Sequence, residues 1–177
     1  VVGGHLTASA RVILSKTEVD VCVVGDGEEP FSRFVEFVKI DATDRLENLA
    51  DIPGLFYRDN ENIISTGMRT PIENLDELPM PAWHLYNIKD YYKMSRLLAR
   101  RLPIVMAEFS RGCVYRCDFC ASKITLALGY RKKSPERCAE EVKYMHSLGF
   151  REFWLTDDIF TSDQKWAKKV CDSITDT

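Results

Sequence analysis

The sequence lacks any long apolar run. No stretch approaches the roughly 18 consecutive apolar residues that a membrane-spanning helix needs, so no transmembrane helix and no membrane partner are expected. We also find no signal peptide, internal repeat or low-complexity tract. The chain begins at Val1 rather than at a methionine, and we interpret it as an internal fragment whose targeting signals, if any, lie upstream.

The sequence also lacks a dominant charge. Its 24 Lys and Arg residues nearly balance 27 Asp and Glu residues, giving a net charge of −3. This balance does not favour nucleic acid as a partner, and we predict a cytoplasmic protein. Apolar residues make up 45% of the 177 positions, an ordinary proportion for a globular chain with a hydrophobic core.

Cysteine is present, but its distribution excludes a disulfide framework. Such a framework would spread its cysteines through a small secreted domain. Three of the six cysteines instead lie within eight residues, at Cys113, Cys117 and Cys120, whereas Cys22, Cys138 and Cys171 are scattered. This clustering indicates a metal site in a reducing compartment.

The first 40 residues alternate between strand and helix patterns, which is typical of an open α/β sheet. Residues 1–5 (VVGGH) and 19–24 (VDVCVV) predict strands, the second as a buried parallel strand. Residues 8–15 and 28–39 predict helices, and the second helix should bury its apolar stripe. That stripe consists of Phe31, Phe34, Val35 and Val38.

The middle of the chain predicts a hairpin followed by a linker. Residues 52–66 form two apolar runs around the turn residues Asp59 and Asn60. Residues 75–83 (LDELPMPAW) have the composition of an extended linker. The basic and apolar residues 88–101 predict a connecting helix.

A second α/β pattern starts at residue 102. Strands are predicted over 104–109 and 153–156, with a helix between them. Ser134 is its predicted N-cap, Pro135 its first residue and Gly149 its C-terminal stop. The predicted core face of that helix consists of Cys138, Val142, Met145 and Leu148, and a further helix should begin near Ser162 or Asp163.

The cysteine cluster has the spacing Cys-x3-Cys-x2-Cys and follows a predicted strand directly. Cysteine thiolates hold iron–sulfur clusters, and three of them would leave one iron of a 4Fe–4S cube open for a small ligand. Three alternatives remain. They are a helix with a buried cysteine stripe, a zinc site needing a distant fourth ligand such as His84 or His146, and a closed electron-transfer cluster with Cys138 or Cys171 as fourth ligand.

The segment RGCVYRCDFC resembles the cluster-binding loop of the radical S-adenosylmethionine superfamily. The resemblance implies a full or partial βα barrel whose first strand feeds this loop. It also implies that S-adenosylmethionine binds the open iron and is cleaved by one electron to a 5′-deoxyadenosyl radical. Phe119 would lie beside the adenine, with simple core packing as the alternative.

Two neighbouring carboxylates follow the second barrel strand in the segment FWLTDDIF. By the same resemblance, Asp157 or Asp158 would contact the amino group of S-adenosylmethionine, since a carboxylate pairs well with an ammonium. The alternative is an acidic loop that caps the next helix. The family's glycine-rich motif at this strand end is not matched here. Arg131 also resembles a position near the site, with a solvated basic loop as its alternative.

The N-terminal part resembles the second half of the cobalamin-binding domain that precedes the barrel in one subgroup of this superfamily. The matching order is GG-x-T, VD-x-x-V-x-G-x-GE, hairpin, LDELP-x-P and RGC. His5 is interpreted as a hydrogen-bonding loop residue rather than a metal ligand. The residues implied for cobalamin are Gly3, Gly4, Thr7, Gly25, Gly27 and Glu28.

The predicted fold class is therefore α/β, in three segments. Residues 1–50 are the C-terminal part of a cobalamin-binding Rossmann-like domain, residues 51–102 a hairpin and linker, and residues 103–177 the first βα units of a TIM-like partial barrel. The resemblance implies a 4Fe–4S cluster, S-adenosylmethionine and, in some members, cobalamin as cofactors. It also implies a flavodoxin- or ferredoxin-type electron donor and an unidentified small-molecule or peptide substrate. The alternatives are a cobalamin-independent methylthiotransferase-like enzyme and a non-catalytic iron–sulfur or zinc module.

Overall fold

A computed structural model describes residues 9–39, 49–67, 71–92, 100–120 and 129–175. The chain divides into two compact units, one of residues 1–72 with 116–128 and the other of residues 73–115 with 129–177. The predicted strand at residues 1–5, with Gly3, Gly4, His5 and Thr7, lies outside the described residues. Within the described part, no helix has the length and apolarity needed to cross a bilayer.

The first unit is built on a three-stranded antiparallel sheet. Strands β1 (Val21–Val23), β2 (Leu55–Asp59) and β3 (Asn62–Ser65) lie in the order β1–β2–β3. Successive side chains of a strand point to opposite faces. One face of the sheet therefore packs on helix α1 (Ala10–Lys16) through Cys22, and the other packs on helix α2 (Glu28–Lys39) through Val21 and Val23.

Strand β1 is buried as predicted, and in the described residues it pairs antiparallel with β2, because the hairpin adds to its edge. The other strand predicted in this region, residues 1–5, lies outside the described residues, so the parallel pairing of β1 stays a prediction. The predicted buried face of α2 was wrong in part. Helix α2 has the predicted bounds, yet Phe31 and Val38 are about half exposed. Its buried positions are Pro30 and Phe37, which share a stripe with the partly buried Phe34, so the buried face is rotated by about one residue from the predicted one.

The predicted hairpin is confirmed with a shift at its turn. Asp59 pairs with Asn62, so the connecting residues are Asn60 and Glu61, one position later than predicted. Asn60 has φ of 53°, a left-handed conformation that asparagine tolerates better than most residues.

The second unit begins with short turns rather than a fully extended linker. Two 3₁₀ turns span Leu75–Glu77 and Trp83–Leu85, and Leu75 is completely buried. Helix α3 (Ile88–Tyr91) is the described part of the predicted helix over 88–101. Residues 100 and 101 are not helical, and residues 93–99 lie outside the described residues.

The predicted βα pattern forms the core of this unit. Strands β4 (Ile104–Ala107) and β7 (Glu152–Leu155) pair in parallel, from Ile104 opposite Glu152 to Ala107 opposite Leu155. Helix α4 (Pro135–Ser147) connects them and helix α5 (Gln164–Thr175) follows. The core side chains come from β4 and both helices: Val105, Ala107, Cys138, Met145, Trp166 and Val170.

Both ends of α4 and the start of α5 agree with the sequence. The Ser134 hydroxyl accepts a hydrogen bond from the Arg137 amide at 3.1 Å, and Gly149 follows the last turn of α4 with φ of 99°. The Asp163 carboxylate caps α5 by accepting from the Trp166 amide at 3.0 Å. Local backbone chemistry thus determines where α4 begins and ends and where α5 begins.

Candidate functional site

The cysteine loop leaves the second unit at the carboxyl end of β4. A short antiparallel pair, β5 (Ser110–Arg111) with β6 (Arg131–Lys132), follows β4 directly. Because β4 and β7 are parallel, the segments after both strands start at the same edge of the sheet. The predicted ligand loop and the predicted carboxylates therefore share one edge.

Asp157 binds the backbone at the start of this loop. One carboxylate oxygen accepts the Phe109 amide at 2.9 Å, and the other accepts the Ser110 hydroxyl at 2.5 Å. Both Phe109 and Ser110 are almost completely buried. Asp157 is partly buried, whereas Asp158 is exposed. The structure thus distinguishes two aspartates that the sequence left equivalent.

Helix capping is not the role of either aspartate, because Asp163 caps α5. The solvated-loop alternative for Arg131 is also wrong, since Arg131 lies in β6 and is only 9% exposed. Lys133, which follows β6, also hydrogen-bonds to the backbone just after β4. The Lys133 amide donates to the Phe109 carbonyl at 2.9 Å, and the Lys133 ammonium donates to the Glu108 carbonyl at 2.7 Å.

Gly112 immediately precedes the first cysteine and has φ of 83°. A Cβ atom at this position would lie 2.2 Å from the carbonyl oxygen of Gly129. Such a separation is far shorter than any van der Waals contact, and only glycine lets two backbones approach this closely. The backbone that leads into Cys113 is consequently fixed by sterics as well as by hydrogen bonds.

The three clustered cysteines form no disulfide bonds, and Cys113 and Cys120 are partly exposed while Cys117 is exposed. The Tyr115 amide lies 3.4 Å from the Cys113 sulfur, and the Cys120 amide donates to the Cys117 carbonyl at 3.1 Å. Residues 113–120 contain no helix, which excludes the buried helical stripe. Within the described residues, no three His, Cys, Asp or Glu side chains are grouped to hold a metal ion. The ligand set therefore remains a prediction from spacing.

The other candidate ligands have different surroundings. The ring of His84 contacts the Tyr144 hydroxyl at 3.0 Å, and that of His146 contacts the Arg151 guanidinium at 3.1 Å. Cys138 is completely buried, as predicted, and burial raises the pKa of its thiol to about 12. A thiol protonated at neutral pH and packed in the core is a poor metal ligand.

Phe119 is 93% exposed, so the core-packing alternative is wrong. A large aromatic side chain that is exposed beside the last cysteine has its ring face available to a planar ligand. Adenine contact remains a prediction.

The glycine loop of the first unit follows β1. Gly25 has φ of 76°, which explains the glycine at that position. A Cβ atom at Gly27 would lie 3.5 Å from the Val23 side chain, which is an ordinary van der Waals distance. Packing therefore does not require glycine at this position. Glu28 begins α2. Asp26, which the sequence reasoning missed, is buried and accepts the Ile72 amide at 2.9 Å.

Sequence reasoning also missed a buried ion pair next to the strand end. The Lys133 ammonium lies 2.8 Å from both carboxylate oxygens of Glu141, and both side chains are almost fully buried. The pattern GYRKKSP gives no sign that its second lysine is internal. One feature of the sequence could have indicated that Glu141 is buried. It falls on the same face of α4 as Cys138 and Met145.

Sequence comparisons match nearly the whole chain to part of several longer proteins. It is 32% identical over 167 residues to an uncharacterised methyltransferase of Pyrococcus horikoshii, covering 93% of this chain and 34% of that protein. It is 30% identical over 179 residues to the anaerobic magnesium-protoporphyrin IX monomethyl ester cyclase of Cereibacter sphaeroides, covering 98% and 28%. The chain thus spans about a third of the length of these relatives. No protein-family model matches it.

Solved structures agree in fold. The radical S-adenosylmethionine methyltransferase TsrM of Kitasatospora setae, with cobalamin and a [4Fe–4S] cluster bound, matches with a TM-score of 0.72 at 18% identity, covering 99% of this chain and 34% of that one. OxsB, a cobalamin-dependent S-adenosylmethionine radical enzyme with aqua-cobalamin and S-adenosylmethionine bound, matches with a TM-score of 0.71 at 17% identity, covering 99% and 24%. These matches confirm the predicted mixed α/β fold. The chain is thus similar in fold to these radical S-adenosylmethionine enzymes and similar in sequence to part of the methyltransferase and of the cyclase.

Proposed function

We propose that the protein containing this chain is a radical S-adenosylmethionine enzyme whose cluster is held by Cys113, Cys117 and Cys120. The observation that carries the proposal is the Cys-x3-Cys-x2-Cys loop at the carboxyl end of β4, beside the end of the parallel strand β7. None of the three cysteines forms a disulfide bond and all are at least partly exposed, as ligands of an inserted cluster must be. The bound cluster would supply the electron that cleaves S-adenosylmethionine to a 5′-deoxyadenosyl radical.

The chain's own residues would bind and orient the ligand. Phe119 offers an exposed aromatic ring to the adenine. A carboxylate of the Asp157–Asp158 pair receives the methionine ammonium through a charge-assisted hydrogen bond. Cys138 stays outside the ligand set, because its thiol is buried and protonated at neutral pH. Three ligands then leave one iron open.

Cobalamin is the proposed second cofactor, used for methyl transfer or rearrangement at an unactivated carbon. Support comes from the cobalamin in the related structures of TsrM and OxsB and from the loop at Gly25, Gly27 and Glu28 in this chain. Gly3, Gly4 and Thr7 are proposed to border the same cofactor. The competing proposal is a methylthiotransferase-like enzyme without cobalamin, and absorbance of the purified full-length protein distinguishes the two.

Metal analysis tests the central proposal. Full-length protein reconstituted anaerobically should hold about four iron and four sulfide per chain, because three thiolates suffice for a 4Fe–4S cube. A triple Cys→Ala variant at positions 113, 117 and 120 should lose the cluster, while the matched control Cys138→Ala should retain it. Zinc, or the absence of iron and sulfide in the wild type, would contradict the proposal and favour a non-catalytic module.

Activity gives the second test. The reduced full-length protein with S-adenosylmethionine should release 5′-deoxyadenosine, with a flavodoxin- or ferredoxin-type donor as the proposed reductant. The isolated 177-residue chain should turn over poorly, since its described residues supply two parallel strands of the proposed barrel. Robust turnover by this chain alone would show that the further strands are unnecessary.

A further inference from the structure

The dipeptide Lys133–Ser134, between β6 and α4, binds several parts of the second unit. The Lys133 amide donates to the Phe109 carbonyl at 2.9 Å, and the Lys133 ammonium donates to the Glu108 carbonyl at 2.7 Å. The Trp166 indole of α5 donates to the Lys133 carbonyl at 2.8 Å. Lys133 is only 6% exposed. This dipeptide therefore holds the backbone between β4 and the cysteine loop.

The turn that begins at Leu75 binds the same dipeptide and the start of α4. The Ser134 amide donates to a carboxylate oxygen of Asp76 at 2.9 Å. The Arg137 guanidinium donates to the Leu78 carbonyl at 2.7 Å, and Leu75 itself is completely buried. The composition of this segment predicted an extended linker, yet its side chains and main chain are fixed to the second unit. The linker is therefore connected to the residues that hold the end of β4.

A buried set of charges joins the turn to the strand end by a second route. The Glu141 carboxylate lies 2.8 Å from the Lys133 ammonium with both oxygens and 3.3 Å from the Arg137 guanidinium. Lys133 reaches the strand end and Arg137 reaches the turn. Polar networks in a low-dielectric interior respond as units, since each member polarises the next. A change at the turn should therefore be felt at the strand end.

We propose that Asp76, although it lies in the linker, is a positioning residue for the cysteine loop. By accepting the Ser134 amide it fixes the Lys133–Ser134 dipeptide, which in turn fixes the backbone that leads to Cys113. This inference rests on the proposed function and extends it to the linker. Groups that support metal ligands from outside commonly change metal affinity by about 10- to 100-fold when they are removed. Asp76 acts by accepting a hydrogen bond, so the amide oxygen of asparagine can replace it.

Amide hydrogen exchange of the metal-free, full-length protein tests this connection. In Asp76→Ala the Ser134 amide loses its acceptor and should exchange at least about 10-fold faster, the factor expected for a lost hydrogen bond to a charged group. The amides of residues 109–112 should exchange about 10-fold faster as well. Asp76→Asn should keep the wild-type rates at both places. Unchanged exchange of Asp76→Ala at either place would refute the positioning role.

The matched control is Ser134→Ala, which removes the hydroxyl that caps α4 but keeps the Ser134 amide that binds Asp76. Exchange should rise in the first turn of α4 and stay at the wild-type rate at residues 109–112. Lys133→Met removes the bond to the Glu108 carbonyl itself and should accelerate exchange at 109–112 at least as much as Asp76→Ala. If Ser134→Ala accelerated exchange there equally, the effect would come from loosening of the helix start, and the role of Asp76 would be wrong.

Release of the cluster to an iron chelator gives the functional readout. Reconstituted full-length Asp76→Ala should release its cluster about 10-fold faster than the wild type. Asp76→Asn and Ser134→Ala should release it at the wild-type rate. A wild-type release rate in Asp76→Ala would show that the linker does not support the cluster loop and would overturn the inference. If the wild type binds no cluster while exchange follows the expected pattern, the proposed function fails and the connection from Asp76 to the strand end stands.

Discussion

Gly112 is the residue where the cysteine loop tolerates change least. Substitution by alanine would force a left-handed φ of 83° on a residue with a side chain and bring its Cβ to 2.2 Å from the Gly129 carbonyl. The first effect costs about 1–2 kcal/mol and the second adds about 1–3 kcal/mol of overpacking. We expect Gly112→Ala to lower the free energy of unfolding of the metal-free protein in urea by the sum of the two.

Gly129 provides the matched control for this prediction. It also has φ of 83°, but a Cβ there would have nothing within 4 Å. Gly129→Ala should therefore incur only the conformational cost of about 1–2 kcal/mol. If Gly112→Ala and Gly129→Ala lowered the free energy of unfolding equally, the close approach of the two backbones would not restrict the loop.

Cys138 and Cys171 differ in burial and should differ in reactivity. Burial raises the pKa of the Cys138 thiol to about 12, so at pH 8 almost none of it is the nucleophilic thiolate, whereas Cys171 is exposed. In native protein at pH 8, iodoacetamide should modify Cys171 and spare Cys138, as followed by peptide mass spectrometry. Denaturant should make both reactive, and labelling of native Cys138 at the rate of Cys171 would contradict its burial.

At the scale of elements, the sequence predicted where a helix begins and ends better than which of its faces is buried. The bounds of α4 follow from Ser134, Pro135 and Gly149, whose effects are confined to the adjacent backbone. The buried face of α2 depends instead on the sheet against which it packs, and Phe37 rather than Phe31 contacts that sheet. The antiparallel pairing of β1 likewise depends on a hairpin more than 30 residues away.

The buried ion pair of α4 illustrates an interaction that patterns do not reveal. Lys133 lies outside the helix and reaches Glu141 at 2.8 Å in the interior. Removing Lys133 leaves the buried Glu141 carboxylate with the Arg137 guanidinium, 3.3 Å away, so the cost is below the about 3–5 kcal/mol of a fully uncompensated buried charge. We expect Lys133→Met alone to lower the free energy of unfolding by about 1–3 kcal/mol, the cost of a lost partner of a buried polar group. The Lys133→Met, Glu141→Leu double variant should lose much less, and strictly additive losses in chemical denaturation would contradict the coupling.

At the scale of the whole molecule, the candidate site was predictable where its members are close in sequence. Eight residues contain all three cysteines, so spacing alone identified them. The hydrogen bond between Asp157 and Ser110 was not predictable, because it joins residues 47 positions apart. Only the parallel pairing of β4 with β7 brings these residues together.

The two faces of strand β4 lead to a final prediction for the 177-residue chain. Val105 is 1% exposed and packs on α4, whereas Met106 is 48% exposed beside Trp154, which is 44% exposed. These two side chains line an open apolar cavity of about 290 Å³ that also includes Trp83 and Tyr86. Apolar surface of this kind promotes association.

We therefore expect the 177-residue chain to self-associate with increasing concentration in sedimentation velocity. The double variant Met106→Thr, Trp154→Thr should reduce this association, because it replaces half-exposed apolar surface with β-branched residues that suit a strand. Val105→Thr is the matched control, because Val105 lines the same cavity but is only 1% exposed. It should leave association unreduced but lower the free energy of unfolding by about 1–3 kcal/mol, since it buries a hydroxyl in the core. Undiminished association in the double variant would mean that another surface holds the copies together.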